Sequence, residues 1–134
     1  MNPINFTETI YLGDRACKSI LLDGWNELVK IQVNEISRIR GENWNYNNKE
    51  NIVDGSIVIE KVTSVIFKPT GYIPNDEIIS FKVDKTIENE TQFLFAFTAY
   101  SSDANHNHQE VIVEIIGENI YLEDPLFPGV KISE

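Results

Sequence analysis

Cysteine is nearly absent: Cys17 stands alone in 134 residues. No disulfide can form within the chain, and a lone thiol suits a reducing compartment better than a secreted one. Long apolar runs are missing too. No stretch approaches the roughly 20 residues that cross a bilayer as a helix. The N-terminus, MNPINFTETIYLGD, lacks the basic and apolar regions of a signal peptide. The cytoplasm is therefore the expected location. Cations are scarce after residue 85: residues 86–134 carry nine acids against Lys131 alone, whereas residues 1–85 carry 12 acids and 10 bases. The net charge of −10 disfavours nucleic acid and anionic membrane, which need clustered Lys and Arg. It draws in a basic partner and raises the encounter rate with it, although solubility is its plainest consequence.

What remains is the composition of one globular domain with a core of its own, expected to span residues 1–134. Period-2 alternation and β-branched residues dominate it. The pattern predicts strands over 5–12, 16–22 and 27–34, the last alternating Val29, Ile31 and Val33 against Leu28, Lys30 and Gln32. Residues 35–40 fit a strand or a short helix, and the stiff Ile and Val side chains favour the strand. Residues 41–51 read as a polar loop carrying Trp44 and Tyr46. In 56–68 the alternation slips at Glu60-Lys61, and a bulge there would put Ile57, Ile59, Val62 and Ile66 on one face. Strands are expected again over 78–84 and 92–100, the latter with Phe93, Phe95 and Phe97 on one side and apolar groups on the other, as in a central strand.

The last strands suggest a hairpin. Gly117-Glu118 has the type II′ pattern, which pairs Ile115 with Ile120 and Val113 with Leu122, leaving Glu110, Ile112, Glu114, Tyr121 and Glu123 on the opposite face. The expected fold is all-β: an antiparallel sandwich or flattened barrel of eight or nine strands, with little or no helix.

Chemistry is harder to find. SSDANHNHQE (101–110) holds both histidines. His106 and His108 would project to one side of a strand, with Asp103 or Glu110 able to add a carboxylate. A catalytic zinc wants a third protein ligand, however, and Ser, Asp and Asn between two apolar strands describe a hairpin tip. The letters His106-Asn107-His108 do not make an HNH nuclease, since the nearest bases in sequence are Lys85 and Lys131. Glu110 and Glu114 lie roughly 13 Å apart along a strand, too far for a glycosidase pair. Cys17 reads as a small buried hydrophobe. Turn aspartates (Asp14, Asp23, Asp54, Asp76, Asp84, Asp103, Asp124) could gather calcium as in C2-type domains, but no clustered D-x-D-x-D run is present. The stretch FKPTGYIPND (67–76) is either a rigid crossover or a preorganised contact loop presenting Tyr72 and Ile73.

The segments YLGDRACKSI (11–20), VKIQVNEISRIR (29–40), IVDGSIVIEKVTSVIFKPTGYIPNDEI (52–78) and IYLEDP (120–125) resemble a family of small bacterial proteins, a domain of unknown function. Gly13-Asp14-Arg15 and Pro74-Asn75-Asp76 concentrate the resemblance, which implies no activity, cofactor or catalytic residue. From the residues, the leading expectation is a non-catalytic cytosolic module that binds a basic protein. A concrete version is an immunity-type protein that neutralises a cationic toxin through Glu110, Glu114, Tyr121 and Glu123. The alternative is a metal- or ligand-binding sandwich using the histidine loop or the turn aspartates. An enzyme ranks third, and no cofactor is expected.

Overall fold

A computed structural model describes residues 1–41 and 49–134; Trp44 and Tyr46 of the expected 41–51 loop lie outside the described residues. The chain opens not with a strand but with a short helix, α1 (Pro3–Thr7), and the two-residue β1 (Ile10–Tyr11). The reason is local. Asn2 accepts a hydrogen bond from the Asn5 amide at 2.8 Å and Pro3 occupies the first turn, a cap and a preset φ that together start a helix. Phe6 and Ile10 still reach the core, now from a helix and a bridge rather than one pleat.

The remaining strands are β2 (Cys17–Asp23), β3 (Leu28–Val33), β4 (Glu35–Arg38), β5 (Ile52–Val53), β6 (Ser56–Glu60), β7 (Ser64–Lys68), β8 (Ile78–Lys85), β9 (Phe93–Ser102), β10 (His108–Gly117) and β11 (Asn119–Glu123). The described residues thus hold eleven strands, more than the eight or nine expected, and residues 35–38 are indeed a strand. All pairings are antiparallel, in three sheets ordered β1-β4-β5, β7-β10-β9-β8 and β11-β6-β3-β2. None of them closes into a barrel. Val29, Ile31, Ile57, Ile59 and Leu122 from one large sheet join Phe95, Phe97, Val111, Val113 and Ile115 from the other in a single core cluster. The alternation in β3 and β9 was thus a true record of which side chains point inward.

Two places, Glu60-Lys61 and Gly117-Glu118, turn out to be one feature. β6 pairs with β11 and β7 pairs with β10, so residues 56–68 and 112–123 form a two-stranded ribbon that passes from one large sheet into the other. The slip in alternation is this corner, where three residues, 61–63, stand opposite two, 117–118, the one-residue excess of a bulge. Val62 packs partly against the core and Ile66 points away from it. The predicted hairpin at Gly117-Glu118 does not form, because β10 and β11 belong to different sheets. At the corner Glu118 N donates to Glu60 O at 3.0 Å, Thr63 N donates to Ile116 O at 2.9 Å, and Lys61 meets Glu118 at 3.4 Å.

Gly117 is required there for space rather than for a left-handed turn. Its φ is not positive. A β-carbon on it would stand 2.8 Å from Ile59 Cγ2 and 2.9 Å from the Glu60 carbonyl oxygen. Backbone cannot yield as a side-chain tip does, so Gly117→Ala is expected to destabilise the fold by about 2 kcal/mol. Urea unfolding would read this. An unchanged midpoint would mean that the corner has room for a β-carbon after all.

Candidate interaction surface

The four residues expected on one acidic face are divided between two sheets. Glu110 and Glu114 lie on β10, Tyr121 and Glu123 on β11, so the shared face required by the hairpin does not exist. Cations from earlier strands also reach these carboxylates. Glu114 pairs with Lys68, its diagonal neighbour on β7, and Glu123 with Lys30 at 3.3 Å. Glu60 meets Lys131 at 3.1 Å. Tyr121 is only 7% exposed, and the Lys131 ammonium lies 4.9 Å from its ring centroid. Burial, then the Glu60 charge, push its phenol above the ordinary value. It is a covered residue, not an aromatic anchor open to a partner. Val58, fully buried on the same side, stands in register between Lys30 and Tyr121.

The histidine segment is a hairpin tip. β9 ends at Ser102, β10 begins at His108, and Asp103 gathers the turn by accepting from the Asn105 and Asn107 amides at 2.9 and 3.0 Å. His106 sits at φ 61° within that turn. His108 enters a constellation that sequence reasoning missed. Its Nδ1 lies 2.5 Å from Ser102 Oγ, and that hydroxyl donates to Asp76 Oδ2 at 2.6 Å. A hydroxyl has one proton to give, so the histidine contact requires a proton on Nδ1. In a nucleophilic relay the base lies between serine and acid. Here the serine lies between acid and base, an order suited to clamping.

What the clamp holds is the crossover between β7 and β8. Asn75 Oδ1 accepts from Ser102 N at 2.8 Å while its amide donates to Ser102 O at 3.0 Å. The backbone amides of Asn75 and Asp76 both reach Tyr100 O at 3.0 Å. The Ser102 hydroxyl, then the Glu77 amide, hold the Asp76 carboxyl below its ordinary value, with His108 adding a smaller pull. A lowered folded-state pKa stabilises fully above the unfolded value and is lost as pH falls through the lowered one. Acidification below the ordinary aspartate range is therefore expected to lower the protection of the Asn75 and Ser102 amides, measured as exchange relative to the intrinsic rate at each pH, and Asp76→Asn to flatten that dependence. Equal pH profiles in the two proteins would contradict it.

The crossover so fixed presents an apolar lip. Ile66, Tyr72 and Ile73 are 48%, 47% and 71% exposed, and with Val65, Phe67, Thr70 and Gly71 they line an open groove of about 500 Å³ along β7. Gly71 has φ +95°, the positive φ its place in the double turn suggests. A smaller recess of about 100 Å³, walled by Leu22, Asp23, Glu27, Val62 and Val65, shares Val65 with the groove and carries the apolar strip to the β2–β3 hairpin. Trp25, 95% exposed, stands at that hairpin's tip; an aromatic inside the Asp23-Gly24 turn was the signal available for it.

A family profile matches residues 1–134. The chain belongs to the family of unknown function DUF6258. No curated protein and no solved structure matches it. The two triplets Gly13-Asp14-Arg15 and Pro74-Asn75-Asp76 meet in space. Ile78 N donates to Arg15 O at 2.8 Å, Cys17 N donates to Asp76 O at 2.9 Å, and Ala16 bridges Glu77. Arg15 continues to Ser37 at 2.6 Å and Glu35 at 3.4 Å. The triplets thus fasten the crossover to β2 and β4. Cys17 is buried beside this junction and burial pushes its thiol up to about 11, so at neutral pH it is a thiol, not a thiolate nucleophile.

Turn aspartates have partners of their own: Asp23 and Asp124 locally, with Asn26 and Leu126 N, and Asp54 with Lys18 on β2. Among the described residues no three His, Cys, Asp or Glu side chains are grouped to hold a metal ion, and no helix is long and apolar enough to cross a membrane.

Proposed function

We propose that the protein is a non-catalytic, cytosolic interaction module, built as a β-sandwich, that captures a cationic polypeptide partner. Its contact surface is the apolar strip along β7 and the 70–73 lip rather than the four residues of the C-terminal third. The observation that carries this reading is the exposure of Ile66, Tyr72 and Ile73 around one groove on a chain of net charge −10. Apolar groups displayed together on a fixed loop are the form of an interaction anchor. The acidic field supplies steering toward a basic partner. Of the four residues expected to bind, this reading keeps Glu110 as a contributor. It lies on the outer face of β10, two residues beyond the one opposite Lys68. An immunity protein that neutralises a cationic toxin is one form this function takes.

Affinity capture from the native host tests it, comparing the wild type with a Tyr72→Ser, Ile73→Ser double variant at low and moderate salt. A basic protein retained by the wild type, released by added salt and at least tenfold depleted on the variant is the expected result. Recovery of the same proteins on both baits would end the proposal.

A further inference from the structure

The free margin of β7 has a use that rests on this reading and makes it more specific. The two large sheets have four edge strands, and three are blunted. β2 and β8 each carry a register shift, between Cys17 and Ser19 and between Ile78 and Ser80. α1 also packs against β8. β11 is bonded on its outer side by Ile132, which exchanges both backbone hydrogen bonds with Leu122 at 2.8 and 2.9 Å. β7 has none of these devices. It pairs in unbroken register with β10, and among the described residues with nothing on its other side. Its one edge cation, Lys68, is engaged by Glu114.

An edge strand turns alternate backbone N–H and C=O groups outward, and an unprotected one is a template for another strand. Here the template lies against the groove. On the inner side Val65 and Phe67 are only partly buried, and Tyr72 and Ile73 stand over the same space. The geometry points to β-strand addition: an extended segment of the partner hydrogen-bonds to Ser64–Lys68. Its alternate apolar side chains enter the groove, and the intervening ones face solvent beside Ile66. β-Augmentation divides recognition in this way, with affinity from main-chain bonds and specificity from pockets for every second side chain. β7 is five residues long, which fits a segment of similar length. The chain's charge selects the occupant. A cationic strand is attracted, whereas a second copy brings another −10 to the same edge.

The test uses the isotope-labelled full chain and a heptapeptide alternating lysine and valine, with two further versions N-methylated on the odd or the even backbone nitrogens. Strand addition predicts shifts and slowed amide exchange within Ser64–Lys68. One methylated peptide should bind at least tenfold more weakly and the other as well as the parent, since only one set of nitrogens faces β7. Ile66→Lys, on an exposed position that the fold does not depend on, should weaken binding at least tenfold with an unchanged melting temperature. Three results overturn strand addition: no binding at millimolar peptide, equal binding of both methylated forms, or shifts at Tyr72 and Ile73 without protection of β7. Concentration-dependent protection of β7 without peptide would assign the edge to self-pairing and overturn it as well. Host capture that depends on Tyr72 and Ile73, combined with a failed peptide test, would leave the interaction module standing and remove only this docking mode.

Discussion

Phe95→Ala is expected to cost about 4 kcal/mol of unfolding free energy. Phe95 is fully buried on β9 and faces the opposite sheet. Its ring stacks on Phe81 at 6.4 Å and meets Phe93 at 6.5 Å. β9 is hydrogen-bonded along its length to β10 on one side and β8 on the other, so the backbone cannot settle into the space left by the ring. The transfer and cavity contributions then both apply. Against the roughly 5–15 kcal/mol typical of a domain, the variant would lose between about a quarter and four-fifths of its stability. Guanidinium unfolding should show the midpoint falling at constant slope, with Phe95→Leu losing much less. A loss below about 1.5 kcal/mol would mean that the two sheets close together more freely than this packing allows.

Arg38→Ala has the second-largest expected effect, about 3 kcal/mol, combining lost hydrogen bonds with lost packing. Arg38 is 1% exposed on β4. Its Nη2 donates to Thr9 Oγ1 at 3.1 Å and to Glu134 O at 3.0 Å, and its guanidinium carbon lies 5.5 Å from the Phe6 ring centroid. One side chain therefore ties α1, β4 and the last residue together. Burial, then neighbouring Arg40, lower its pKa from the ordinary value, a sign that the site holds the charge at some cost. Alanine would strip donors from two acceptors and leave a void beside Phe6. The melting temperature should fall by about 10 °C. Arg38→Met, which restores volume but not donors, should recover part of that. Full recovery with methionine would show that packing alone mattered, and no fall with alanine would remove the residue's role altogether.

Neither of these residues bears on the functional proposal directly, but the stability they supply is what keeps the β7 margin preorganised. The crossover that forms the lip is held through Asp76 and Asn75 to β9 and through backbone bonds to Arg15 and Cys17. A loop fixed in this manner loses little entropy when it is bound. Tyr72 and Ile73 remain exposed because the clamps lie on the far half of the crossover.

Much of the fold was legible. Val29, Ile31 and Val33, and likewise Phe93, Phe95 and Phe97, announced by alternation which side faces the core, since successive residues on a strand point to opposite sides. Ser, Asp and Asn around the histidines announced a turn. α1 was also legible in Asn2-Pro3, but the spacing of Phe6, Ile10 and Leu12 matched a pleat well enough to mask it. Gly117-Glu118 misled for a different reason. The pattern on Val111, Val113, Ile115, Ile120 and Leu122 gave each inward face correctly. The same pattern arises whether β10 and β11 pair with each other or with different strands.

Faces, turns and charge were therefore determined by the amino-acid order itself, because each follows from chain geometry over a few residues. Partners were decided only by the tertiary structure. Glu114 meets Lys68, Glu123 meets Lys30 and Asp76 meets Ser102 because sheets align residues far apart in sequence, and no local rule sets that register. The same long-range pairing left β7 without a second neighbour among the described residues, and so set where the proposed strand addition would find backbone to bind.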